Sequence, residues 1–225
     1  MNPYFIGIIA MGLSWLVRQR FQSVMNTLSK QQLQKGFTGK EVAESMLHAY
    51  GINDVKVVSV GGMLTDHYNP ANKTVNLSEA VYQQRNITAA AVAAHECGHA
   101  VQHATAYKFL KFRSSLVPVV SLTSKFSSWV LLAGIALIQT FPAVLLIGIA
   151  MLGAATLFSI ITLPVEFDAS KRALAWLDDS QLTNANEHEA ASKGLRWAAM
   201  TYVVAALSSL GTLLYYLSIF MRNRN

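Results

Sequence analysis

His95-Glu96-Cys97-Gly98-His99 sets two imidazoles four positions apart, with a carboxylate directly after the first. On a helix, residues four apart stack one turn above each other, so both rings address one point and can share a single Zn²⁺. Glu96 then lies beside the ion, within reach of a metal-activated water. Chance alone gives this pattern in roughly one chain in two hundred of such composition, so the flanking residues matter. Thr88-Ala89-Ala90-Ala91-Val92-Ala93-Ala94 before it and Ala100-Val101-Gln102-His103 after it are strong helix formers and small packing residues. Asn86 or Thr88 can cap that helix, and Gly98 leaves room for another segment to approach closely. Cys97 lies about 200° round the helix from His95, which directs it into the core. As the single cysteine it forms no internal disulfide.

A catalytic zinc takes three protein ligands and keeps one position open, so a third donor must come from outside this helix. Glu166 is the leading candidate; Asp168, Glu187, His188 and Glu189 compete with it. Glu166 stands where the chain returns to the catalytic side after two membrane crossings, and a rigid helix can present it there. Its bland alternative is an interfacial charge paired with Lys171 or Arg172. Donors for a developing oxyanion are available in His67, Tyr68, His103 and His188, and spacing does not choose among them.

The elements that must hold these groups are too apolar for an ordinary soluble domain. Of 225 residues, 52% are hydrophobic and 13% charged, and the mean hydropathy is +0.32. Membrane segments are expected. The net charge of +6 is scattered around apolar runs, which fits membrane orientation better than nucleic acid. Residues 1–20 read as an N-terminal transmembrane anchor, because Met1 to Val17 carries no charged side chain and Arg18 and Arg20 follow it. Basic residues after the apolar run argue against a cleaved signal peptide. Residues 114–165 contain one charge, Lys125, which reads as snorkelling; they form a helical hairpin turning near Gln139-Thr140-Phe141-Pro142. Residues 197–225 hold a third apolar stretch, Trp197 to Met221, and a tail. Lys193 and Arg196 before that helix compete with Arg222 and Arg224 after it, so its orientation is open. Lys108, Lys111, Arg113, Lys171 and Arg172 crowd the outer ends of the hairpin, which places the catalytic side in the cytoplasm.

Between the anchor and the hairpin, residues 21–113 form the catalytic segment. Phe21 to Lys35 reads as an amphipathic helix, and Thr38-Gly39-Lys40-Glu41 as a capping box opening a helix that buries Val42, Met46 and Leu47 and ends at Gly51. Val55 to Val60 alternates like a strand. Leu64 to Tyr68 and Thr74 to Ser78 flank Asn69-Pro70-Ala71-Asn72-Lys73 as a hairpin. The edge of this sheet either adds a peptide substrate as an extra strand or serves only the core. Residues 166–196 complete the organisation as a third-ligand helix and a second cytoplasmic segment.

With its motif helix, hairpin and returning carboxylate, the sequence resembles the bacterial YugP-type neutral zinc metallopeptidases over its full length. It is more distantly similar to the HtpX-type membrane-embedded proteases. In those families H-E-x-x-H is followed by a transmembrane hairpin and a Glu within an E-x-x-A-D-like stretch, which here reads Glu166-Phe167-Asp168-Ala169-Ser170. The resemblance implies His95, His99 and Glu166 as zinc ligands and Glu96 as catalytic base, a gluzincin-like set. Ser170 stands where the pattern has Asp. An Asp there can hold a ligand histidine in its tautomer; Ser170 does so more weakly, and Asp168 reads as lying on another face.

The expected fold is therefore a mainly α membrane protein, with a zincin-like α+β catalytic domain and a small sheet on about four transmembrane helices. The expected function is an integral-membrane zinc endopeptidase of the cell membrane, cutting membrane or membrane-proximal polypeptides. A zinc-containing scaffold or partner-binding protein is the alternative, although a structural site has no use for Glu96. Ala205, Ala206, Ser208, Ser209 and Gly211 permit close helix packing within the chain, between copies, or with a membrane partner subunit.

Overall fold

Long uncharged runs satisfy their backbone in an apolar setting by coiling, and the chain is mostly helical. The computed structural model describes residues 3–223, so Arg224 lies outside the described residues. In chain order the elements are α1 (Pro3–Leu28), α2 (Gly39–Ala49), β1 (Lys56–Val60), β2 (His67–Asn69), β3 (Thr74–Ser78) and α3 (Glu79–Tyr82). α4 (Ile87–Ala104), α5 (Lys108–Ala136), α6 (Pro142–Asp179) and α7 (Ala185–Arg222) follow. They build two compact units, with α1, α5, α6 and α7 contributing a segment to each.

One unit gathers the front of α1, Lys111–Leu163 and the end of α7 from Thr201. α5, α6 and α7 are each long and apolar enough to cross a membrane. Trp129, Leu132, Ile147, Leu207 and Leu214 are exposed, the inverse of a water-soluble surface. Helix contacts inside this unit use small and polar groups: Gly134 abuts the Leu145 backbone, and Thr156 and Ser209 hydroxyls meet at 2.7 Å. The α5–α6 turn falls at residues 137–141, and Lys125 is exposed. The fourth segment expected at the N-terminus falls in α1, where Ile8, Met11, Leu13, Trp15 and Leu16 are exposed.

The other unit comprises Arg18–Leu110 and Pro164–Met200. Its sheet has the order β1-β3-β2, with β1 parallel and β2 antiparallel to β3. The hairpin read from sequence is present, but β2 starts at His67 because Leu64 adopts φ +58°. Asp66 then pins the approach, accepting from the Ser78 backbone N–H at 2.7 Å and the Ser78 hydroxyl at 3.1 Å. α1 stops at Leu28, short of the Lys35 end expected from sequence. The next residues pair with the start of α4: Leu33 N–H donates to Arg85 C=O at 2.8 Å, and Gln31 C=O accepts from Ile87 N–H at 3.0 Å. These bonds brace Asn86, whose side chain accepts from Ala89 N–H at 2.8 Å and caps α4. α6 and α7 each run unbroken through the boundaries expected at 165/166 and 196/197.

α2 buries Val42, Ala43, Met46 and Leu47 in the core that also holds α4. Its capping box is complete: Glu41 N–H donates to the Thr38 hydroxyl at 3.2 Å, and Thr38 N–H donates to Glu41 Oε2 at 2.7 Å. The Thr38 backbone and hydroxyl bonds hold the Glu41 carboxyl below its ordinary value. A carboxyl lowered by folding stabilises above its unfolded-chain value and loses that contribution as pH falls through the folded one. Glu41→Gln is therefore expected to flatten the acid side of the stability profile, measured as thermal melts across acidic buffers.

Candidate active site

Alanines make α4 a helix that other elements can approach from nearly every side. Ala89, Ala90, Ala91, Ala93, Ala94, Ala100 and Val101 are all buried. Cys97 joins them, its Sγ 3.5 Å from Ala43 C=O, and burial pushes its thiol well above the usual value. At Gly98 a Cβ would stand 2.5 Å from the Ala169 carbonyl oxygen, so α4 and the Pro164–Asp179 part of α6 touch backbone to backbone. Gly98→Ala is expected to push them apart at about 1–3 kcal/mol, the usual cost of overpacking, seen as a lower melting temperature and weaker zinc binding.

That contact brings Glu166 against the two histidines. Its Oε2 lies 3.3 Å from His95 Nε2 and 3.7 Å from His99 Nε2, and the two rings are edge-on with centroids 4.8 Å apart. Ligand atoms about 2.0–2.1 Å from a tetrahedral zinc stand roughly 3.3–3.4 Å from one another, close to these separations. Glu166 Oε2 is buried and receives no hydrogen bond. A buried carboxylate oxygen without a donor is costly, and a cation between it and two imidazole nitrogens removes that cost. Burial pushes the His99 imidazole down, but the nearby Glu166 carboxylate, together with the charge of Glu96, outweighs it and raises it. The field at this point therefore favours positive charge, and the donor set fits zinc.

Glu96 is buried on the side of α4 that faces the sheet, where its Oε2 accepts from Tyr68 N–H at 3.0 Å. The Tyr68 hydroxyl pairs with His103 Nδ1 at 2.8 Å, so two of the four oxyanion candidates sit together. His67 Nδ1 instead bonds Thr65 C=O at 2.7 Å. His188 lies on α7 with its Nδ1 buried and unbonded. The other third-ligand candidates are otherwise placed. Glu187 completes a capping box with Asn184 and accepts from Gln34 N–H at 2.6 Å, while Glu189 is exposed. Asp168 accepts from Arg172 Nε at 2.6 Å and from Gln102 Nε2 at 2.8 Å.

Both histidines are held from behind. Ser170 Oγ lies 3.1 Å from His95 Nδ1, and Gln102 Oε1 lies 3.1 Å from His99 Nδ1. Ser170 thus occupies the supporting role that the departure from E-x-x-A-D put at issue. Asp168, read from spacing as lying on another face, reaches His99 indirectly because the long Gln102 side chain bridges to it. Gln102 is the residue that the sequence reading missed, and its signal was its place three positions after His99, on the same helix face.

Such a donor set, presented by rigid helices with a carboxylate held alongside, is that of a metallopeptidase. Residues 3–221 match the family described as "Putative neutral zinc metallopeptidase", and the chain belongs to that family. It is similar to the "Putative membrane protease YugP" of Bacillus subtilis (strain 168), with 41% identity over 221 residues that cover 98% of this chain and 97% of the relative. No solved structure matches it. The family and the three apolar helices make this a membrane protein that uses zinc and acts on polypeptides.

Proposed function

We propose that the chain is an integral-membrane zinc endopeptidase in which His95, His99 and Glu166 hold the metal and Glu96 is the general base. The convergence of three lone-pair atoms on one point, with Glu96 held off it by Tyr68 N–H, carries this reading. Zinc, when bound there, supplies an acidified water and polarises the scissile carbonyl. Glu96 takes the proton from the attacking water and returns it to the departing amine nitrogen. The pairing of the Tyr68 hydroxyl with His103, on a residue whose backbone touches Glu96, supports these two as donors to the oxygen on which charge develops. β2 is an edge strand next to this carboxylate, which supports a substrate bound in extended form along it.

The substrates in this proposal are membrane or membrane-proximal polypeptides, cut on the cytoplasmic side of the cell membrane. The support is the basic flank of the apolar helices, Arg18, Arg20, Lys108, Lys111, Arg113, Lys171 and Arg172. The front of α1 is read as a fourth membrane segment beside α5, α6 and α7. Stripping the purified, detergent-solubilised protein with 1,10-phenanthroline is expected to abolish cleavage of an unfolded reporter polypeptide, and added Zn²⁺ to restore it. Cleavage that persists in metal-free protein defeats the proposal.

A further inference from the structure

Gln102 is wholly buried, yet each polar atom of its amide has a partner. Its Nε2 donates to Val165 C=O at 2.7 Å and to Asp168 Oδ2 at 2.8 Å, while its Oε1 faces His99 Nδ1 at 3.1 Å. The orientation of an amide is fixed by what surrounds it. Reversed, this one would press its oxygen against a carbonyl and a carboxylate and its NH₂ against the ring. Both contacts on the Nε2 side accept only, so Oε1 must face the histidine.

An amide oxygen only accepts, so His99 Nδ1 must carry the hydrogen, and in the neutral ring the Nε2 lone pair is left facing Glu166. We infer that Gln102 is a positioning residue: oriented by Asp168 and Val165, it locks His99 in the tautomer whose Nε2 can bind metal before any metal arrives. Arg172 keeps Asp168 in place, with Nε 2.6 Å from Oδ2 and its guanidinium over the Tyr107 ring at 5.8 Å. His95 is treated differently. Its Nδ1 faces the Ser170 hydroxyl, which donates or accepts equally well, so that contact holds the ring without dictating its tautomer. The two ligand histidines are thus unequal, one pre-set and one free to choose.

This inference rests on His99 being a zinc ligand, and the test separates the two. In metal-free, full-length protein in micelles, long-range proton–nitrogen NMR of labelled histidines at a pH where the rings are neutral reports each tautomer, and Zn²⁺ titration gives affinity. Wild-type His99 is expected as a single Nδ1–H form. Gln102→Met is expected to give a mixture at His99, leave His95 unchanged, and weaken Zn²⁺ binding roughly 10–100-fold, the usual loss for a ligand's supporting partner. Asp168→Asn retains an acceptor for Gln102 and is expected to stay near wild type on both counts.

Asp168→Ala, at a partly exposed site, is the variant to read should Gln102→Met not fold. It is expected to mix the His99 tautomers partially and weaken Zn²⁺ to a lesser degree. A folded Gln102→Met, or failing that Asp168→Ala, with unchanged His99 tautomer and Zn²⁺ affinity overturns the inference. His99→Ala distinguishes that failure from a wrong site, because Zn²⁺ binding retained in His99→Ala defeats the ligand assignment itself.

Discussion

Glu96→Gln is expected to keep its zinc and its fold while turnover falls by about 10²–10⁴-fold, the range that a general base contributes. The amide matches the carboxylate in size, and its oxygen can still accept the Tyr68 N–H that now bonds Glu96 Oε2 at 3.0 Å. Nothing that positions α4 is lost. The capacity to take a proton is lost, so the defect belongs in kcat with KM little changed. Zinc content, melting temperature and kcat measured on one preparation separate the outcomes. Loss of zinc would make Glu96 a ligand, whereas full turnover would remove it from the chemistry.

The parts of the site that sequence revealed are those carried by local periodicity. His95, Glu96 and His99 sit within two turns of one helix, and their geometry follows from 3.6 residues per turn whatever surrounds them. Gly98 was legible in the same way: a residue without a side chain beside His99 implied a close neighbour, and Ala169 is that neighbour. The capping box at Thr38 and Glu41 was legible because both of its bonds lie inside four residues. Glu166 required more, namely two expected membrane crossings to return the chain, whose re-entry point set it ahead of Asp168, Glu187, His188 and Glu189.

What stayed hidden depended on partners distant in sequence. The end of α1 is set by backbone bonds from residues 31–33 to residues 85–87, and no propensity of Phe21 to Lys35 announces them. A helical wheel sets Asp168 on another face, where it touches neither histidine, and knows nothing of Gln102, whose length links it to His99. The parallel pairing of β1 with β3 likewise arises from chain passing between them through β2, which a strand-by-strand reading does not order. Tyr68 entered the sequence reading for its hydroxyl. Its backbone N–H is what touches Glu96.

Glu166→Ala is expected to lose stoichiometric zinc altogether, and its stability should show why. In a purely structural ion pair, removing the carboxylate would strand two buried imidazoles and lower the melting temperature of the metal-free protein. Here Oε2 receives no hydrogen bond although its charge raises His99, so metal-free Glu166→Ala is expected to melt only modestly below metal-free wild type. The larger difference should appear with the ion present. A ligand that binds the folded state alone stabilises by about 2.7 kcal/mol at a hundredfold excess over its Kd, so zinc should raise the wild-type melting temperature and leave the variant's unmoved. Rescue by a neighbouring carboxylate is not expected: Asp168 is engaged with Gln102 and Arg172, and Glu187 with Asn184 and Gln34. A Glu166→Ala protein that still holds one zinc per chain would mean that the third ligand lies elsewhere, and the geometry of the two imidazoles would then have to be met by a different return of the chain.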